Sequence, residues 1–448
     1  MQKNDLITCE IIAYGCSGEG IAKPDGFTLF VPFAAVGDIC RIRILKVLKN
    51  YGYGKIHEII TPSLHRIIPP CPVFGKCGGC ALMHVDYKTQ LAWKRERVQD
   101  ALCRIGGQTN IAIAETAYNG ITMRYRNKIQ MPVAAGKDGI IAGFYAPNSH
   151  RVISTDNCLL QSSRCALAIR AVLAWMHKYK IAPYDEERHT GIVRHIYVRE
   201  STTQQMVSLV TNGSRLPHAE DLISAMQAIG VTTLLQNINT KRTNVILGRE
   251  TKLLYGSGVI EETLDTIRYK VSHHSFFQVN PPMATALYKK GLSLLGDISD
   301  KTVFDLYCGI GAISLFLARH ARHVIGVDIV PEAIADAKEN AALNGIKNAS
   351  FYAGDAGAVT KELYAKGVVA DIAVVDPPRK GCDAALIETL LAMAPQKILY
   401  ISCNPATLAR DIQLLSKEGY SCNKAYPFDL FPQTAHVESV VLMSRKDK

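Results

Sequence analysis

Cys403 stands in Ser402-Cys403-Asn404-Pro405, directly after the apolar run 397–401, and Asp376 opens Asp376-Pro-Pro-Arg-Lys-Gly381, directly after the apolar run 370–375. Runs of that length and composition read as buried strands, so both residues emerge at strand ends, where open α/β sheets hold their ligands. A cysteine at a strand end, backed by an Asn-Pro turn, is placed to act as a nucleophile; its thiolate is the attacking species. Near the C-terminus, Phe431-Pro-Gln-Thr-Ala-His436-Val-Glu438 sets a His and a Glu two residues apart, just before a terminal strand over 439–443. Either can serve as a general base, and residue type alone does not choose between them.

A third group is Asp305-Leu-Tyr-Cys-Gly309-Ile-Gly311, between a strand and a helix, with Asp328 ending the next strand seventeen residues later. Glycines let a backbone approach a ligand, and a carboxylate at the second strand end can accept both hydroxyls of a ribose. Ser314 occupies the third glycine place of the dinucleotide fingerprint. That shifts the reading from NAD toward S-adenosylmethionine, which needs no pyrophosphate cradle. Arg379 follows the two prolines where methyltransferases of exocyclic amines carry an aromatic residue, which argues against amine methylation.

The fourth group is Cys71-x5-Cys77-x2-Cys80, with Gly78-Gly79 between the last two. Tight turns there let thiolates converge on a metal, and zinc and an iron–sulfur cluster fit the spacing equally. The spacing is not C-x3-C-x2-C, which counts against radical chemistry. A fourth ligand must come from elsewhere: Cys158, in a polar turn, is the first choice and Cys165 the second. The scattered Cys9, Cys16, Cys40, Cys103, Cys165 and Cys422 read as small core hydrophobes. An odd total of 13 cysteines argues against a disulfide framework.

The elements that position these groups divide the 448 residues into three stretches. Residues 1–62 alternate short β runs (6–13, 27–31, 39–48, 54–60) with glycine bends, as in a small nucleic-acid-binding barrel. In residues 63–265, Asp86 caps a helix carrying Tyr87, Leu91, Val98, Leu102 and Ile105 until Gly106-Gly107, and 120–265 reads as mostly β, with strands over 123–131, 192–199, 205–211 and 244–247. Residues 266–448 alternate strand and helix, as a doubly wound parallel sheet does. Formal net charge is +11, and residues 63–130 hold ten Lys/Arg against four Asp/Glu, including Lys94, Arg95, Arg97 and Arg104 on the one helix. Such a stretch suits a phosphate backbone as well as a solvated face. At 48% hydrophobic and 20% charged the composition excludes wholesale disorder, and no apolar run is long enough to span a membrane. The first residues lack a signal peptide's pattern, so a cytoplasmic protein is expected.

Together, Cys71-x5-Cys77-x2-Cys80, Phe276-Phe-Gln-Val-Asn280, the 307–311 loop, 376–381, 402–405 and 431–438 resemble the bacterial RNA uracil-C5 methyltransferases of the 23S ribosomal RNA type, over essentially the whole length. The resemblance implies an α/β fold: a doubly wound, Rossmann-like methyltransferase sheet, an N-terminal barrel like a TRAM domain, and a mostly β central domain. It implies Cys403 as nucleophile and Glu438 as base, with Gln278, Tyr307, Asp328 and Asp376 contacting S-adenosylmethionine. Cys71, Cys77, Cys80 and Cys158 would hold a [4Fe–4S] cluster, and 23S rRNA would be the partner, with no obligate protein partner. Asp328 stands where many relatives have Glu, and Ala312 where many have a polar residue; neither removes the site. The resemblance favours ribosomal RNA, because transfer-RNA relatives usually lack both the N-terminal barrel and the cysteine cluster; transfer RNA as substrate, and a non-catalytic RNA-binding assembly factor, are the alternative readings.

Overall fold

The computed structural model describes residues 1–446. Its largest sheet runs, from one edge, Ala349–Ala353, His323–Asp328, Thr302–Leu306, Ile372–Val375, Lys397–Ser402, Glu438–Arg445, Lys424–Phe428 and Ala112–Ile113. The first five strands are parallel, and Glu438–Arg445 returns antiparallel to Lys397–Ser402. Every residue of Thr302–Leu306 and Ile372–Val375 is buried, as expected of central strands covered by helices on both faces. Chain order reverses between these two strands, which opens a crevice at their carboxyl ends.

The middle region is a seven-stranded sheet in the order Val152–Ser154, Gly139–Tyr145, Lys128–Gly136, Val193–Glu200, Gln205–Thr211, Thr233–Ile238, Glu250–Tyr255. Two helices absent from the sequence reading, Ser163–Lys178 and Ala219–Ala228, pack Ile169, Val172, Leu222 and Met226 against one of its faces. Residues 244–247 are not a strand. The Asn239 amide donates to the carbonyls of Val245 (2.7 Å) and Ile246 (2.9 Å) and ties this stretch into a loop; the strand begins at Glu250.

The N-terminal unit is six short strands in the order Leu6–Glu10, Ile39–Val47, Tyr51–Thr61, Thr28–Val31, Gly20–Ala22, Ala13–Tyr14. Ile11-Ile12 links the first and last of these along the chain, so the sheet curls around Ile11, Leu29, Val31, Ile42 and Ile44. Helix Tyr87–Arg104 belongs physically to the large sheet. Asp86 accepts from the Thr89 amide at 2.9 Å as its N-cap, and Val98 and Leu102 bury against Leu408 and Ile412 of helix Pro405–Lys417.

Candidate active site

Cys403 follows the last residue of Lys397–Ser402. Asn404 then caps the next helix by accepting from the Ala406 amide at 3.2 Å. The antiparallel ladder pairs Ser402 with Ser439, and one further step of the same register sets Cys403 opposite Glu438. Side chains directly opposite in such a ladder are neighbours. Burial, with the carboxylates of Glu438 and Asp376 nearby, pushes the Cys403 thiol up to about 11, and the Arg379 guanidinium opposes that rise. Glu438 is buried; burial and then Asp376 push its carboxyl up to about 8, against Arg379. Asp376 is pushed up to about 7 by burial and then Asp305.

Asp305 opens the glycine-loop motif but carries no role in the sequence reading; a charge inside the apolar strand Thr302–Leu306 was the signal for one. It is fully buried, accepts from Ser314 Oγ at 2.5 Å and leaves its second oxygen without a partner. Burial, with Asp328 adding to it, raises its carboxyl to about 7. Burial and a neighbouring carboxylate raise each of the three, and a cation bound beside them would offset that cost.

The glycine loop faces the same crevice. Tyr307 adopts φ 74°, an uncommon conformation for a bulky residue, and its buried hydroxyl has no partner. Gly309 has φ 54°, and a Cβ there would meet nothing within 4 Å, so the backbone stands open to a ligand. Asp328 pins the loop: its two oxygens accept from the amides of Gly309 and Val330, each at 2.9 Å. A carboxylate has about four acceptor positions, so two remain for hydroxyls. Gln278 is half-buried in the segment leading to helix Pro281–Leu295, where Asn127 Nδ2 donates to its carbonyl at 3.2 Å.

A cleft of about 590 Å³ leads to Cys403. Its walls come from the barrel (Phe30, Phe33, Tyr53), the cysteine loop (Gly78, Gly79, Cys80) and the large sheet (Arg379, His436). Cys16, expected in a core, is exposed on this cleft. His436 Nε2 lies 3.2 Å from the Arg379 guanidinium, and burial with surrounding cations lowers its imidazole to about 4.

Cys71, Cys77, Cys80 and Cys158 all line a second cavity, of about 210 Å³, with Phe74, Met83 and Leu160. The Gly79 amide donates to Cys77 Sγ at 3.3 Å. Burial and the neighbouring thiols push Cys80 up to about 12. Cys165 is elsewhere, fully buried in the core of the middle sheet. Among the described residues no group of three His, Cys, Asp or Glu side chains is set to hold a single metal ion.

The basic stretch 63–130 is not the continuous phosphate track its composition suggested. Lys94 is fully buried and paired with Asp429 at 2.6 Å. Arg95 donates to the Ile113 carbonyl, Arg97 to the Ala435 carbonyl and Arg124 to that of Gln161. Arg126 lies 5.8 Å from the Phe431 ring centroid. These cations bind the chain to itself.

The profile of the tRNA (uracil-5-)-methyltransferase family matches residues 221–446, and that of the TRAM domain matches 13–57. The chain belongs to the RNA uracil-5-methyltransferase family. It is similar to an uncharacterized RNA methyltransferase of Halalkalibacterium halodurans (46% identity, 100% of this chain, 98% of that one) and to another of Clostridium tetani (44%, 99% and 97%). Its backbone is similar to that of the Pyrococcus abyssi tRNA (uracil-54, C5)-methyltransferase solved with S-adenosyl-L-homocysteine, at TM-score 0.79 and 26% identity, over 97% of this chain and 99% of that one. This family member is therefore an S-adenosylmethionine-dependent enzyme acting on uracil carbon 5 in RNA, and the reading as a non-catalytic assembly factor falls away. Among its described residues no helix is long and apolar enough to cross a membrane.

Proposed function

We propose that the enzyme methylates carbon 5 of a uridine in 23S rRNA through a covalent adduct between Cys403 and carbon 6. The observation that carries this reading is that Cys403 directly follows the last ladder pair, Ser402–Ser439, and stands near the buried carboxyls of Glu438 and Asp376. Carbon 5 of uracil is a poor nucleophile; addition of a thiolate at carbon 6 gives an enolate that is nucleophilic at carbon 5. S-adenosylmethionine, when bound by Gln278, Tyr307, Asp328 and Asp376, supplies an electrophilic methyl group. Glu438 accepts the carbon-5 proton, and expulsion of Cys403 restores the ring. An ordinary carboxylate would be ionised throughout at neutral pH, but burial and Asp376 hold Glu438 near 8, so its ionisation depends on the charge brought by the ligand. The target base must be unpaired or flipped out to reach Cys403.

Cys71, Cys77, Cys80 and Cys158 would hold a [4Fe–4S] cluster, which would anchor the loop lining the cleft. The irons of a cluster each take one thiolate, so its ligands surround a cavity instead of converging on one point. Iron and sulfide content of protein purified without oxygen, with Cys158→Ser as comparison, tests this assignment; zinc alone at full occupancy would overturn it.

Transfer RNA is the second reading. The Pyrococcus abyssi tRNA enzyme matches 97% of this chain, so an N-terminal barrel does not separate the two substrates. RNA containing 5-fluorouridine, which lacks a removable carbon-5 proton, should trap the wild-type protein covalently, and Cys403→Ala should form no adduct. Mapping 5-methyluridine in rRNA and tRNA of a deletion strain decides the substrate: loss from 23S rRNA supports the proposal, and loss from tRNA alone overturns it.

A further inference from the structure

Strand Tyr51–Thr61 opens Tyr-Gly-Tyr-Gly. Its glycines face the barrel interior: a Cβ at Gly54 would lie 2.4 Å from Ile42 Cγ2, and one at Gly52 2.9 Å from the Lys46 carbonyl oxygen. The alternation therefore turns both tyrosines outward, where Tyr51 is 38% and Tyr53 40% exposed. The parallel partner strand, Thr28–Val31, sets Phe30 opposite Tyr53 on the same outer face. The three rings form one patch, with centroids 5.8 Å apart for Phe30–Tyr51 and Phe30–Tyr53 and 5.7 Å for Tyr51–Tyr53. None of them belongs to the apolar core of the barrel. The neighbouring strand brings Arg43 opposite Lys55 and Lys46 opposite Tyr53, so positive charge borders the rings. Phe30 and Tyr53 also line the cleft that contains Cys403, Arg97 and Arg379.

We propose that Phe30, Tyr51 and Tyr53 form a stacking platform for unpaired nucleotides flanking the target uridine. Exposed rings bordered by cations match what a single strand presents, base faces along a charged backbone. A duplex keeps its base faces covered by their neighbours and offers the rings nothing to stack on. The substrate class is thus RNA that is single-stranded on at least one side of the modified base. Only the location of that base at Cys403 rests on the function proposed above; the platform itself does not.

The test is direct binding of the full-length protein to a short oligouridylate and to the same strand annealed to oligoadenylate. The single strand should bind more tightly, and Phe30→Leu combined with Tyr53→Leu should weaken it about tenfold. Tyr53→Phe, which keeps the ring, should retain binding. With substrate RNA the loss should appear in KM for RNA and not in kcat. Tyr51→Leu alone, at a more peripheral ring, gives the same direction if the double variant folds poorly. Equal binding of duplex and single strand, or unchanged affinity in the leucine variants, would overturn the platform. Failure to trap 5-fluorouridine RNA alongside a preserved single-strand preference would instead overturn the catalytic reading and leave the platform supported.

Discussion

Asp305, Asp376 and Glu438 are raised to about 7, 7 and 8, in each case by burial first and a neighbouring carboxylate second. A carboxyl whose folded-state value lies above its unfolded one favours folding while protonated. That contribution is complete below about pH 4 and is lost as pH climbs through 7 and 8. These three carboxyls should therefore take stability from the ligand-free enzyme between pH 5 and pH 8, while the buried imidazoles of His84, His195 and His436, lowered to about 4, add stability as pH rises from about 4 to 6.5, so the carboxyl contribution is read as a difference between variants. Rises of this size are linked to at most about 5 kcal/mol per group, an upper bound because the three carboxylates interact. S-adenosylmethionine, a cation, should restore more stability at pH 8 than S-adenosylhomocysteine, which lacks the sulfonium charge. Relative to the wild type, Asp305→Asn should gain stability as pH rises from 5 to 8. Scanning calorimetry across that range reads these effects, and an Asp305→Asn midpoint that moves with pH just as the wild type's does would contradict the burial argument. Residue types and strand ends alone left His436 and Glu438 as equal candidates for the base, whereas the family resemblance implied Cys403 and Glu438 as partners in one reaction. Their adjacency needed the ladder register, and the buried charge at Asp305 needed the strand's depth.

At the scale of elements, the segment that carries His436 and leads into Glu438 is fastened by a helix from the chain's N-terminal part that packs on the large sheet. Lys94 on helix Tyr87–Arg104 donates to Asp429 at 2.6 Å and to the Phe431 carbonyl at 3.2 Å, and Tyr87 adds its hydroxyl to Asp429 at 2.9 Å. Lys94→Met leaves Asp429 buried without its cation and should cost about 3–5 kcal/mol, whereas pairing it with Asp429→Leu should recover part of the loss. Urea unfolding of the single and double variants measures both. A double variant as unstable as the single would mean the pair is not what fastens this segment. Helix Tyr87–Arg104 was legible because Asp86 caps it and its apolar residues recur at helical spacing. Its docking partner was not, since nothing in residues 87–104 marks an element three hundred residues later. Helix Ser163–Lys178 carried comparable signals, a Ser162 cap and Cys165, Ala168, Ile169, Val172 and Met176 on one side, yet it lies among strands whose alternation dominated the reading. Residues 244–247 show the opposite error: apolar side chains suggested a strand, and the Asn239 amide took the backbone carbonyls a ladder would have used.

For the whole molecule, a formal charge of +11 overstates what an RNA can meet. Lys94 and Arg199 are buried, burial lowers Lys128 to about 8, and Arg66 is bound to buried Asp38. Cations on the strands that carry or flank the aromatic face of the barrel include Arg43, Lys46 and Lys55. Binding to a single strand should therefore weaken with salt through few contacts, each adding about 0.7 to the slope of log affinity against log salt concentration. Lys46→Ala together with Lys55→Ala should lower that slope by about 1.4, two contacts' worth. Lys366→Ala removes a positive charge that Glu362 already pairs at 2.5 Å and should leave the slope unchanged. Affinity measured over a salt series for the three proteins separates placement from total charge. Equal reductions in slope per charge removed would mean that the overall field governs RNA capture, and the barrel face would lose its role as the track that leads into the cleft at Cys403.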